Sequence, residues 1–166
     1  MNTQGETEMF TTEEPAVEVA TIRLMRASDV DAVVRIDAAA TGRARPRYFE
    51  LMLQRALDFA GLQISLVAEV DGRVVGYLIG SLYYGEYGMT EPTASIDAIG
   101  VDATMRRHQI AHELFEQLRR NVGAIGATSI RTEVQWSNFD LLGFLRSEGF
   151  APAARLCLER KVDPTE

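Results

Sequence analysis

Arg106 and Arg107 stand between an alternating apolar run, Ala94 to Val101, and an amphipathic segment that begins near Arg107. A strand that passes through a short loop into a helix leaves unpaired backbone N–H groups at the helix start, with the helix dipole behind them. Such a loop attracts anions, and two guanidinium groups beside it could pair with phosphates. Taken alone, residues 96–111 read equally as an anion site and as an ordinary connection with its arginines in solvent. On the preceding strand, Asp97, Ile99 and Val101 share one face by period two, and Ser95 joins them. A carboxylate at Asp97 could take a proton from an incoming ammonium, directly or through water. The competing reading gives Asp97 only a strand-ordering or cation-binding role.

Other residues offer weaker chemistry. His108 and His112 lie four apart, at helical spacing for a metal pair, but no third ligand is evident and both are expected in solvent, so no metal is expected. Cys157 sits in an alternating run with no histidine near it and reads as a buried structural thiol rather than a nucleophile. Tyr83, Tyr84 and Tyr87 surround Glu86 in a glycine-containing loop that could form a cation-binding lip for an amine, or simply a surface turn. Trp136 could line a cleft or pack beside Phe139. Arg43, Arg45 and Arg47 could meet phosphate or form a solvated basic edge.

These residues need a frame. Ile22 and Leu24 alternate with Arg23, as in a strand over residues 21–26. Ser28 offers an N-cap to a helix carrying Val30, Val33, Val34 and Ile36 and ending near Gly42. Pro46 can open a second helix, running to Gly61. Residues 64–70 and 74–82 read as a hairpin closed by Asp71-Gly72. In its second strand, Val75, Tyr77 and Ile79 alternate with Val74, Gly76 and Leu78, the pattern of a strand covered on both faces. A strand over 94–101, a helix over 107–121, a strand over 130–134, a helix over 138–148 and a last strand over 155–162 complete the order β-α-α-β-β-β-α-β-α-β. The expected fold class is α/β, a mixed and mostly antiparallel sheet flanked by about four helices, with residues 94–134 as a parallel crossover unit.

Composition agrees with one globular domain. At 166 residues the chain can bury a core without disulfides, and its single cysteine excludes an internal disulfide framework. The net charge of −7 argues against general nucleic-acid affinity. Five acids and no base fall within residues 1–19, so the remainder carries about −2. This divides the chain into a flexible acidic arm, 1–19, and one domain, 20–166. No apolar run has the length of a membrane span and no signal-peptide pattern is present, so a cytoplasmic protein with no membrane or nucleic-acid partner is expected.

Two segments carry a family resemblance. Arg106-Arg107-His108-Gln109-Ile110-Ala111 resembles the signature of the GCN5-related N-acetyltransferase (GNAT) family: Gln or Arg, two residues, Gly, one residue, then Gly or Ala. Gln109 replaces the first glycine. Asn138, followed by an aromatic-rich helix and Gly149-Phe150, resembles a second family feature, and the order of elements is similar over residues 21–162. The resemblance implies that acetyl-CoA binds with its pyrophosphate on Arg106 to Ala111, whose backbone amides form a cradle. It also implies pantetheine along Ile99 and Val101, an oxyanion role for the N–H at Ile99, and a contact from Asn138. Gln109 is expected to keep ordinary helical dihedrals. The family's tyrosine acid falls on Leu145, which leaves that role vacant.

The implied activity is acetyl transfer from acetyl-CoA to a primary amine by direct attack in a ternary complex. Catalysis is then expected from Asp97, Ser95 and Ile99, with the acceptor near Tyr83, Tyr84 and Glu86. A homodimer is a candidate assembly. The alternative is the same fold as a non-catalytic acyl-CoA-binding module, a sensor or assembly element, which Gln109 and Leu145 favour.

Overall fold

The computed structural model describes residues 20–58, 64–85, 88 and 90–163. The acidic arm, Glu86 and Tyr87 lie outside the described residues, so expectations placed on them find no structural counterpart.

Among the described residues, five strands form one sheet in sequence order: β1 (Thr21–Leu24), β2 (Leu66–Val70), β3 (Arg73–Tyr83), β4 (Thr93–Val101) and β5 (Ser129–Thr132). The first four are antiparallel and β5 runs parallel to β4, as the crossover pattern required. Helices α1 (Val30–Thr41) and α2 (Pro46–Asp58) cover one face, and α3 (Ile110–Ala124) covers the other. A fourth helix, α4 (Phe139–Ser147), follows β5.

Local chemistry explains most boundaries. Asp71 and Gly72 both take positive φ, 49° and 74°, closing the β2–β3 hairpin with the two-residue turn their types favour. Pro46 opens α2, and Gly42 ends α1 in the left-handed region at φ 71°. Ser28 does not cap α1: it lies inside a short 3-10 turn, Ala27–Asp29. The Asp29 carboxylate instead accepts the Arg26 N–H at 2.7 Å and the Arg23 guanidinium at 2.8 and 2.9 Å. A buried carboxylate with three donors satisfies that turn better than a hydroxyl would.

The simple alternation expected for β3 fails at one residue. Ala68 pairs with Gly76 and Glu69 with Val74, so Val75 is the extra residue of a β-bulge. Val75 packs toward α3, while Tyr77 and Ile79 pack toward α1 and α2.

The last expected strand is also absent. Residues 151–163 form no strand and are exposed throughout, including Leu156, Leu158 and Cys157, so Cys157 is not the buried thiol its pattern implied. Alternation states which face a strand would bury, but a strand also needs an edge to pair with. The order observed among the described residues is therefore β-α-α-β-β-β-α-β-α.

Candidate active site

The expected face of β4 divides at a second bulge. Ile79 pairs with Ala98 and Gly80 with Ile96, which leaves Asp97 with no opposite residue. Ala94 and Ile96 pack toward α3 before the bulge, and Ile99 and Val101 pack toward α3 after it. Ser95 therefore points to the α1–α2 face. Asp97 does too, because its carboxylate accepts a hydrogen bond from Ser81 Oγ, and Ser81 follows Ile79 on that face. Asp97 and Ser95 thus do not share a face with Ile99 and Val101, contrary to the period-two reading. Ser81, which pairs with Ser95, was missed because only the bulge turns the Asp97 carboxylate toward it.

The same bulge marks where β4 and β5 part. Their pairing ends at Ile96 with Thr132, whose Oγ1 donates to the Ile96 carbonyl at 2.8 Å. From Asp97 to Val101, the strand pairing of β4 is with β3 alone. Among the described residues, the other edge of this stretch pairs with no strand. Gly100 lies beneath Tyr77: a Cβ there would stand 2.6 Å from the ring's Cε1.

Beyond Val101 the chain forms a 3-10 turn, Ala103–Met105, and then an exposed loop, Arg106 to Gln109. Arg107 has φ 68° and Gln109 φ 59°, both left-handed, so α3 starts at Ile110 rather than Arg107. Gln109 does not keep the helical dihedrals expected of it. It adopts the backbone that a glycine takes without strain, at a cost of about 1–2 kcal/mol. Its carbonyl accepts the Glu113 N–H at 2.9 Å, which leaves the first-turn N–H groups of Ile110, Ala111 and His112 without intrahelical partners. Those amides and the turned backbone at Arg107 fit an anionic group. The later helix start adds His112 to the amides read from sequence. Ile110 is buried, and a Cβ on Gly76 would meet its Cγ2 at 2.8 Å, so this glycine lets the helix start sit directly on β3.

Asp102, at the end of β4, anchors the near side of this loop. Its carboxylate accepts from Arg35 at 2.9 Å, Arg73 at 2.5 Å, the Thr104 N–H at 3.1 Å and Thr104 Oγ1 at 2.8 Å. The Thr104 N–H, followed by its hydroxyl, Arg73 and Arg35, holds the carboxyl well below the usual range against the opposing effect of burial.

The remaining candidates scatter. Asn138 is the N-cap of α4, its side-chain oxygen accepting the Leu141 N–H at 3.2 Å, so that oxygen already serves the helix. Leu145 is buried. Tyr83 lies under the Arg131 guanidinium, 4.7 Å from its ring centre, and Tyr84 is exposed. His108 Nδ1 lies 3.0 Å from the Arg106 carbonyl. His112 Nδ1 meets the Glu148 carboxylate at 3.0 Å and ties α3 to the end of α4. Trp136 and Phe139 are both largely exposed. Arg45 binds the buried Asp37 at 2.6 Å, and residues 43–48 line an open cavity of about 370 Å³.

Comparison with known proteins bears on the family and the fold. A profile of the acetyltransferase (GNAT) family matches residues 30–150. An N-alpha-acetyltransferase of Sulfurisphaera tokodaii is 28% identical over 135 residues, 78% of each chain. The crystal structure of Ard1 from Thermoplasma volcanium superimposes with a TM-score of 0.68 at 26% identity, covering 81% of this chain and 84% of that one. An aminoglycoside N-acetyltransferase in complex with CoA has a TM-score of 0.72 at 18% identity, covering 86% and 95%. With a matching profile over most of its length, a sheet that parts at the Asp97 bulge and a helix start whose first amides lack intrahelical partners, this chain belongs to the GNAT family of acetyltransferases and is an N-acetyltransferase.

Proposed function

We propose that the chain transfers the acetyl group of acetyl-CoA to the α-amine of a polypeptide N-terminus. The observation that carries this reading is the parting of β4 from β5 at the Asp97 bulge, directly upstream of the Arg106–Ala111 loop. Acetyl-CoA would supply the activated acetyl group. The amides of Ile110, Ala111 and His112, with Arg106 and Arg107, would hold its pyrophosphate. The free edge of β4 at Ile99 and Val101 would hold the pantetheine arm, and a backbone N–H there would polarise the acetyl carbonyl. Asp97, oriented by Ser81, would take the proton of the incoming ammonium on the α1–α2 face. Asp97 and the β4 edge would then serve two reactants from opposite sides of one bulge. No side-chain nucleophile is needed, and the thiol is a tolerable leaving group with an ordinary pKa of about 8.5.

The choice of acceptor is supported by the N-alpha-acetyltransferase relative, which is more similar in sequence than the aminoglycoside enzymes. The non-catalytic alternative loses one of its supports, because Gln109 adopts the glycine conformation that the loop requires. The reading carries a cytoplasmic setting, in keeping with the exposed free thiol of Cys157. Thiol release from acetyl-CoA is the test, with short peptides bearing free N-termini set against aminoglycosides and free amino acids. Turnover with peptides alone supports the reading. Turnover with aminoglycosides alone replaces the acceptor, and binding of CoA without any turnover restores the alternative.

A further inference from the structure

The loop from Ala103 to Gln109 is almost wholly exposed, yet it holds two non-glycine residues, Arg107 and Gln109, in the left-handed region. Such backbone persists only where its surroundings impose it. The loop makes few bonds of its own, so its shape is set at its two ends. The far end is Ile110, seated on Gly76. The near end is Asp102, where three separate elements converge on one buried carboxylate: Arg35 from α1, Arg73 from the tip of the β2–β3 hairpin, and Thr104 from the loop itself.

The β3 bulge completes the joint. The Val74 carbonyl accepts from Arg35 at 2.9 Å, and the Val75 carbonyl accepts the Asp102 N–H at 2.8 Å. Both ends of the loop are therefore fixed to adjoining residues of one strand, Val74 to Gly76.

We infer that Asp102 is a positioning residue for the CoA-binding loop, acting through Arg35, Arg73 and Thr104, none of which belongs to the pyrophosphate cradle. Loosening this joint lets Arg107 and Gln109 relax out of the left-handed region and turns their neighbouring amides away from the ligand. The inference rests on the CoA assignment of the loop and adds what governs the loop's affinity.

The test uses the full chain, with CoA itself as the probe. The Arg35→Ala/Arg73→Ala double variant removes three guanidinium hydrogen bonds, two to Asp102 and one to the Val74 carbonyl, from half-exposed side chains and should fold. Calorimetry should show about tenfold weaker CoA binding. Amide exchange should quicken at residues 103–110 and stay unchanged in β1 and β2. The KM for acetyl-CoA should rise in step while kcat at saturation holds, and Arg73→Lys should recover part of the loss. Asp102→Asn should act in the same direction, and where it fails to fold the arginine variants decide. A folded double variant with CoA affinity within twofold of the original chain and unaltered exchange overturns the role of Asp102. Failure of the unmutated chain to bind CoA overturns the cofactor assignment of the loop, and this role with it.

Discussion

Ser81 Oγ donates a hydrogen bond to the carboxylate of Asp97 across a strand pair in which Asp97 has no opposite residue. The bulge makes this contact, and the contact aims the carboxylate at the face covered by α1 and α2. Asp97→Asn should therefore slow acetyl transfer by about 10²–10⁴-fold while leaving CoA affinity unchanged. Ser81→Ala should cost about tenfold in kcat, since it removes one hydrogen bond to a charged group. A loss confined to the KM for the amine would make Asp97 a binding carboxylate instead.

Gln109 occupies a backbone conformation that costs a residue with a side chain about 1–2 kcal/mol and glycine none. Gln109→Gly gives back part of that in the freedom of the unfolded chain, leaving a net gain of about 0.5–1 kcal/mol. Thermal melting should rise by a few degrees, with CoA affinity equal or tighter. Gln109→Val should fall well below the original chain, because a β-branched residue resists positive φ. Equal melting temperatures for all three would remove the strain from this account.

Gly100 and Tyr77 face each other across β3 and β4, and the ring fills the space a Cβ would take. Gly100→Ala should cost about 1–3 kcal/mol by overpacking and should weaken CoA binding, since the displaced strand is the one with the free edge. Adding Tyr77→Leu should restore part of both. The two changes should be non-additive, as expected for residues in contact. Simple additivity would mean that the ring does not press on the strand.

Two carboxyls, Asp29 and Asp102, are held below the ordinary range, the first chiefly by the Arg23 side chain and the second chiefly by the Thr104 N–H. A depressed native value means that the unfolded chain binds more protons in acid. Their stabilisation is thus fully present above the unfolded carboxylate value of about 3.9 and is lost as pH falls below it. Melting temperature should be flat between about pH 5 and 7 with respect to these groups and drop steeply below about pH 4. Asp29→Asn should flatten the acid limb and lower stability at neutral pH. An acid limb unchanged by that substitution would assign the loss to other groups.

Much of the fold around the candidate site was legible in the residues. Asp71-Gly72, Pro46 and the spacing of Ile110, Leu114 and Leu118 fixed the hairpin, α2 and the buried face of α3, because turn chemistry and helical period are local. Local chemistry left Arg106 to Ala111 even between an anion site and an ordinary connection, and it was the resemblance to the family signature that singled it out. The bulges at Val75 and Asp97 did not stand out, since an extra residue in one strand is decided by its partner strand. That one fact moved Asp97 and Ser95 to the other face from Ile99 and Val101. Asp102 escaped notice because its partners, Arg35 and Arg73, are 67 and 29 residues away in sequence. Leu156 and Leu158 showed the reverse error: a strand-like pattern on a segment that no edge receives.

The most direct measurement is mass spectrometry of a short peptide with a free N-terminus, incubated with acetyl-CoA and the purified chain. Acetyl transfer to the N-terminus gives one acetyl group on the peptide's α-nitrogen, one free CoA thiol per product, and a rate reduced by about 10²–10⁴-fold in Asp97→Asn. Unmodified peptide beside intact acetyl-CoA, with CoA bound by the same preparation, would contradict it.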